Sequence, residues 1–131
     1  MAHTFLGQAY VEKRMYDEAI AEFQKSITLS GQNPDLLANL GFVYAAAGRH
    51  SEALQSLDEL FKLSKHEYVA PYMVARIYVA LGKSDQALEM LEKAHKVRDS
   101  HILDLSYDPT LDPLRSNPRF AGLVQSVGLT R

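Results

Sequence analysis

The sequence predicts an all-α protein built as an array of paired helices, and a fixed period in the sequence supports this fold class. Ala19, Ala53 and Ala87 lie 34 residues apart. The same step separates four more triplets of similar residues, which are Tyr10, Tyr44 and Tyr78; Leu6, Leu40 and Val74; Gly7, Gly41 and Ala75; and Phe23, Leu57 and Leu91. Each period also holds two stretches with apolar residues at helical spacing. A period of this length is typical of stacked helix pairs, which offer a binding surface and, by themselves, no chemistry.

The predicted units span about residues 1–32, 33–66 and 67–98, and each reads as two helices joined by a turn. In the second unit, Asn33 is a suitable N-cap and Pro34 suits the first helical position. Gly48 is expected to end the first helix in a left-handed conformation, and Ser51 is expected to open the second. The third unit repeats this pattern with Gly82 and Ser84, whereas the first unit has Arg14 at the position of these glycines.

The tail, residues 99–131, breaks the period and is predicted to be a Pro-rich connector followed by a C-terminal capping helix. Three dipeptides, Asp108-Pro109, Asp112-Pro113 and Asn117-Pro118, each place a capping residue before a proline that suits a first helical position. The last of them precedes a stripe of apolar residues, which are Phe120, Leu123, Val124 and Val127. We expect this helix to fold back over the third unit.

Composition excludes several classes of function. The chain has 131 residues, a net charge of −2 and no cysteine, so its sequence offers no disulfide, thiolate or cysteine-based metal site. The charge balance gives no electrostatic reason to expect nucleic acid or an anionic membrane as a partner. No apolar run approaches the roughly 20 residues that span a bilayer, and the first residues do not follow a signal-peptide pattern. We therefore expect a cytoplasmic protein.

The residues at the 34-residue step resemble the tetratricopeptide repeat family. The matching motifs are Leu6-Gly7-x-x-Tyr10…Ala19…Phe23, Leu40-Gly41-x-x-Tyr44…Ala53…Leu57 and Val74-Ala75-x-x-Tyr78…Ala87…Leu91…Ala94. This resemblance covers about residues 1–98 and implies a right-handed superhelix of three helix-turn-helix repeats. The sequence departs from the family where an aromatic residue is usual near the start of each first helix, since it has His3, Leu37 and Pro71 there.

The run from Tyr68 to Ala94, followed by the tail motif Asp108-Pro109…Leu114-Arg115-Ser116-Asn117-Pro118-Arg119-Phe120, is similar to the end of tetratricopeptide arrays in prokaryotic multidomain signalling and transcription regulators. In that group the array follows a DNA-binding, nucleotide cyclase or protein kinase module. The resemblance implies that this chain is the C-terminal sensing or docking part of a larger regulatory protein.

In the family, the first helices of the pairs line a concave groove that binds partners. By register, the groove residues of this chain are Gln8, Val11, Asp35, Asn39, Phe42, Val69, Tyr72, Met73, Arg76 and Val79. The family's carboxylate clamp is not expected, because Asn39 alone matches it. We expect the groove to bind an apolar or aromatic-bearing helix or extended segment, with Arg76 pairing an acidic group of the partner. The alternative is that Phe42, Tyr72 and Met73 pack against the tail or a second copy of the chain.

No motif indicates catalysis, a cofactor or a metal ion. The five histidines, which are His3, His50, His66, His95 and His101, show no paired spacing for metal ligation on one helix. The sequence therefore predicts a non-enzymatic module that binds a protein or peptide. A different class stays open, in which the chain is a structural segment that forms a homo-oligomer through the open face of its first repeat.

Overall fold

The computed structural model describes residues 16–31 and 33–130, and these residues form helices joined by short connections, without a strand. The α-helices are α1 (Tyr16–Ser30), α2 (Pro34–Ala46), α3 (His50–Leu63), α4 (Pro71–Ala80), α5 (Ser84–Lys96) and α6 (Pro118–Thr130). Two 3₁₀ helices, η1 (Ser100–Asp104) and η2 (Pro109–Leu114), lie between α5 and α6. The prediction of an all-α fold is confirmed for the described residues. The predicted first helix of the first repeat lies outside the described residues.

The chain divides into two compact units, residues 1–69 and 70–131. In the first unit, α1 packs against α2 and α2 packs against α3. In the second unit, α4 packs against α5. The three alanines of the 34-residue step, Ala19, Ala53 and Ala87, are all 0% exposed. Each lies on the second helix of its predicted pair, where a larger side chain would hold two helix axes apart.

The turns inside the pairs end in left-handed glycines, as predicted. Gly48 has φ +80° and Gly82 has φ +77°. After α2, the Arg49 amide donates to the Tyr44 carbonyl at 2.8 Å. After α4, the Lys83 amide donates to the Tyr78 carbonyl at 2.9 Å. This is the Schellman pattern, which satisfies carbonyls that the end of a helix leaves unpaired.

The start of α3 differs from the prediction for Ser51, whereas α5 begins at Ser84 as predicted. The helix α3 begins at His50 with Arg49 as its N-cap, and α5 begins at Ser84 with Lys83 as its N-cap. Neither cap residue forms a side-chain capping bond. The Arg49 carbonyl instead accepts from the Ala53 amide at 3.1 Å. The connection is so short that one residue ends the first helix with its N–H and begins the next with its C=O, which leaves Ser51 inside α3.

Asn33 and Pro71 begin helices by different means. The Asn33 Oδ1 accepts from the amides of Asp35 at 2.8 Å and Leu36 at 3.3 Å, so the predicted N-cap is confirmed. Pro71 is the first residue of α4, where its missing N–H costs no helical hydrogen bond. The N-cap residue of α4 is Ala70, which forms no side-chain capping bond.

The tail covers the second unit with apolar side chains. Its buried members are Ile102, Leu105, Leu111, Leu114, Phe120, Leu123 and Val127, and they share one core with Tyr72, Ala75, Val79, Ala87, Leu88, Leu91 and Ala94. The dipeptides Asp108-Pro109 and Asn117-Pro118 begin η2 and α6. The remaining dipeptide, Asp112-Pro113, does not begin a helix, because Pro113 lies inside η2.

Candidate partner-binding surface

The first half of the predicted groove lies on α2. Asp35, Asn39 and Phe42 follow one another at spacings of four and three residues, which places them along one face of the helix. Asp35 is exposed, Phe42 is half-buried and Asn39 is 8% exposed. Gln8 and Val11, which were predicted to extend this face, lie outside the described residues. The first unit therefore presents a carboxylate at the start of α2 and an aromatic ring two turns further along.

The second half of the predicted groove lies on α4, and its side chains are covered. Tyr72 is 2% exposed, Met73 is 7% and Val79 is 6%. The Arg76 side chain is 13% exposed. Val69, the last residue of the first unit, is half-buried. The four residues of α4 are thus far less accessible than a binding groove requires.

Asp108 of the tail provides the main polar cover of α4. The Tyr72 hydroxyl donates to Asp108 Oδ2 at 2.8 Å. The Arg76 Nε lies 3.8 Å from the same oxygen and donates to Thr110 Oγ1 at 3.1 Å. The second oxygen, Oδ1, accepts from the Thr110 amide at 2.9 Å and from its hydroxyl at 2.6 Å. Arg76 was expected to pair with an acidic group of a partner, and Asp108 of the same chain supplies one.

Asp99 provides a second polar contact with α4 and is itself buried, at 4% exposed. Its Oδ2 accepts from the Tyr72 amide at 3.1 Å, which satisfies an N–H of the first turn of α4. Its Oδ1 accepts from the His101 amide at 3.0 Å and lies 2.8 Å from His101 Nδ1. The His101 ring stacks on Tyr72 with 5.9 Å between the ring centroids. Tyr72 is therefore held by the tail through its backbone, ring and hydroxyl.

We call Asp99, Asp108 and Thr110 the tail clasp. The sequence indicates only part of its role. The Asp108-Pro109 dipeptide correctly indicates an N-cap, because Asp108 accepts from the Thr110 amide as a capping residue does. The bond to Tyr72 joins residues 36 positions apart, and no local pattern reports a contact at that separation. Sequence reasoning therefore found the local role of Asp108 and missed its tertiary role.

An ion pair at the surface fastens α6 to α5. Two nitrogens of Arg119 donate to the two oxygens of Glu92 at 2.7 and 2.6 Å. The hydrogen bonds from Arg119 lower the pKa of Glu92 below its ordinary value. Both side chains are more than 40% exposed, so solvent screens the pair and its contribution to stability is small.

On α4, burial raises the pKa of the Tyr78 hydroxyl.

The described residues offer neither a metal site nor a membrane-spanning helix. Across residues 16–31 and 33–130, no group of three or more His, Asp or Glu side chains is placed to hold a metal ion. Within the same ranges, no helix combines the length and the apolar character needed to cross a membrane.

Comparison with known proteins gives matches over most of the helical array. A family model described as TPR repeat matches residues 7–48, and one described as Tetratricopeptide repeat matches residues 44–101. Superkiller protein 3 of Schizosaccharomyces pombe is 27% identical over 75 residues, which is 57% of this chain and 5% of that protein. The chain thus spans a small fraction of the length of this relative. No solved structure matches the chain.

Proposed function

The chain is an all-helical protein that contains tetratricopeptide repeats, and from this premise we propose that it is a non-enzymatic scaffold or docking module for a protein partner. Such repeats generally mediate protein–protein interactions. The observation that carries the proposal is the repeated helix pair itself, which two models match in adjoining stretches of the chain. The second helix of each predicted pair has the same buried alanine, and the second and third pairs have the same Schellman turn, as expected for a scaffold that displays a surface.

The partner is proposed to bind on the face of α2. Phe42 is half-buried there and can anchor an apolar side chain, whereas Asp35 is exposed and can pair with a basic one. The partner is an apolar or aromatic-bearing helix or extended peptide. Gln8 and Val11 are proposed to continue this face, and Val69 to border it. Tyr72, Met73, Arg76 and Val79 contribute in this proposal only by holding the tail, since the tail clasp already covers α4.

A peptide selection tests the α2 face. A displayed peptide library is selected on the wild-type chain, and the selected peptides are then titrated against Phe42→Ala and Asp35→Lys. We expect each substitution to weaken binding by about tenfold, the effect of one good anchor or one well-placed charge. Phe61→Ala is the matched control, because Phe61 is an aromatic residue of α3 that is 44% exposed. Peptides that bind both α2 variants as well as the wild type would place the partner elsewhere.

The tail motif supports a further part of the proposal, that the module serves a larger cytoplasmic regulatory protein. Asp108 and Phe120, two residues of the motif that resembles regulator tails, hold the tail on the second unit. The gene's full reading frame tests this part directly. A reading frame that encodes no DNA-binding, cyclase or kinase module would contradict it.

Self-association is the second candidate, and apolar exposure in the first unit favours it. Leu29 of α1 is 72% exposed and Leu54 of α3 is 48% exposed. Large apolar side chains at such exposure are common at interfaces between copies of a chain. Sedimentation velocity over a hundredfold range of concentration separates the candidates. A mass that rises with concentration, and that Leu29→Ser returns to the monomer value, supports self-association over the docking of a separate partner.

A further inference from the structure

A cleft opens in the second unit beyond the end of α5, apart from the α2 face proposed for the protein partner. Its volume is about 440 Å³, and three of its walls are the apolar side chains of Ile102, Leu103 and Val127. The rest of the lining includes His95, Arg98 and Ser100. Clefts that hold small molecules or a few side chains have volumes of roughly 300 to 1,000 Å³. The cleft is therefore large enough for a short apolar chain and too small for a partner helix.

Arg98 adopts a backbone conformation that an arginine rarely adopts. Its φ is +58°, and it is the one non-glycine residue with positive φ in the described part of the chain. The Arg98 amide donates to the His95 carbonyl at 3.2 Å, and the next amide donates to the Ala94 carbonyl at 2.9 Å. This is the same Schellman pattern in which Gly48 and Gly82 occupy the left-handed position.

Glycine is the residue that fits this position without steric cost, and the chain uses it at both of those turns. An arginine at the third turn strains the backbone, and strain of this kind is concentrated at functional sites. The substitution places a guanidinium at the cleft, where glycine would leave no side chain at all. The geometry thus indicates a role for the Arg98 side chain rather than for its backbone.

Among the side chains that the structure describes around the cleft, the charged groups are positive except for Asp99, which points inward. Among the described side chains, none forms a hydrogen bond or ion pair with the Arg98 guanidinium. The last turn of α5 adds the ammonium groups of Lys93 and Lys96. Asp99 also lines the cleft, but its side chain is 2% exposed and both its oxygens already accept hydrogen bonds. A ligand entering the cleft therefore meets the Arg98 guanidinium beside apolar walls.

We propose that this cleft binds a carboxylate carried on a short apolar chain. The Arg98 guanidinium pairs with the carboxylate through two parallel N–H···O bonds, as its planar fork favours. The hydrocarbon lies against Ile102, Leu103 and Val127, and it covers Leu103, which is 51% exposed. Two sources carry this chemistry, namely a free medium-chain acid and the C-terminus of a peptide that ends in a large aliphatic residue.

Titration of the full chain with two probes tests the proposal. The probes are sodium octanoate, kept below its micelle concentration, and a short peptide that ends in Leu-Leu with a free carboxylate. Binding is followed by the methyl NMR signals of Ile102 and Val127. We expect at least one probe to shift both signals, and Arg98→Gly to weaken that binding tenfold or more. Leu103→Ser is expected to weaken it severalfold.

Arg98→Gly also separates a binding role from a structural one. Because glycine relieves the left-handed strain, the variant is expected to unfold a few degrees higher than the wild type while it loses the ligand. Lys83→Ala, which removes a positive charge at the opposite end of α5 and outside the cleft lining, is the control and is expected to bind as the wild type does. Arg98→Lys keeps the charge without the fork and is expected to bind at an intermediate level.

Each outcome decides the proposal. Binding of octanoate alone identifies a free acid as the source, and binding of the peptide alone identifies a protein C-terminus. Three results would overturn the proposal: neither probe shifts the two methyl signals, the C-terminally amidated peptide binds as tightly as the acid, or Arg98→Gly retains full binding. None of these results depends on the α2 face, so failure here leaves the proposed protein partner standing.

Discussion

Replacing Asp108 with alanine is expected to destabilise the second unit far more than a similar change at Asp112. Both residues are aspartates followed by proline in the same stretch of the tail. The Asp108 side chain is 14% exposed, whereas that of Asp112 is 63% exposed. Asp108 bonds to Tyr72 across the core, whereas Asp112 bonds to Arg115 three residues along the chain. The two aspartates thus have similar local sequences but different tertiary contacts.

The expected magnitude follows from three losses at Asp108. Removal of an N-cap costs about 1 kcal/mol. A hydrogen bond between the Tyr72 hydroxyl and a carboxylate contributes about 1.5–3 kcal/mol. Arg76, whose side chain is 13% exposed, loses its 3.8 Å ion pair with Asp108 but keeps its bond to Thr110. Because these terms overlap, we expect Asp108→Ala to lower the free energy of unfolding by about 2–4 kcal/mol, and Asp112→Ala by less than about 1 kcal/mol.

Native-state hydrogen exchange at the α5 amides is the suitable assay, because it reports the free energy of the opening reactions that expose α5. A double-mutant cycle of Asp108→Ala with Tyr72→Phe then isolates the bond between the two side chains, because the loss of the N-cap cancels within the cycle, and the expected coupling is about 1 kcal/mol or more. Equal destabilisation by Asp108→Ala and Asp112→Ala would refute the reasoning. A coupling near zero would mean that Asp108 acts as an N-cap and nothing more.

Three further predictions concern the helices. Gly82→Ala is expected to cost about 1 kcal/mol in urea unfolding, because its φ is +77° and no atom crowds the site, whereas Gly122→Ala inside α6 is expected to stabilise by about 0.5–1 kcal/mol. Leu91→Ala, at 0% exposed, is expected to cost about 2–5 kcal/mol, against less than about 1 kcal/mol for Leu54→Ala at 48% exposed. The pKa of Glu92 is lowered in the folded state, so its contribution is present above the unfolded pKa and is lost as pH falls through the folded pKa. Glu92→Gln is therefore expected to lower the melting temperature slightly at pH 7 and to leave it unchanged in strong acid.

The helix pairs were predictable from sequence because their signals act over short distances. The turns at Gly48 and Gly82 end helices through bonds that reach back at most five residues, and Asn33 caps amides two and three residues ahead. The prediction for Ser51 was wrong for an equally local reason. The connection between α2 and α3 is too short for a separate cap, so Arg49 serves both helices.

The surface was harder to predict, because the repeat sets which side chains share a face and says nothing about what covers them. The period places Tyr72 and Arg76 on the face of α4 that an array would leave open to partners. The chain brings Asp99 and Asp108 to that face from 27 and 36 residues away, in a tail that does not follow the period. The α2 face and its exposed Asp35 belong to the first unit, so the tail contacts described here leave the proposal for α2 unaffected.

A period of three in the tail explains why Asp108, rather than Asp112, reaches α4. The helix η2 is a 3₁₀ helix, in which residues three apart lie directly above one another. Asp108, Leu111 and Leu114 follow at this spacing, and both leucines are 0% exposed. Asp112 and Arg115 also lie three apart, on a face that points to solvent. The two buried leucines fix the rotation of η2 on the core, and that rotation aims Asp108 at the Tyr72 hydroxyl. Replacing Leu111 with a polar residue is therefore expected to break the bond between Asp108 and Tyr72, although neither of these residues is changed.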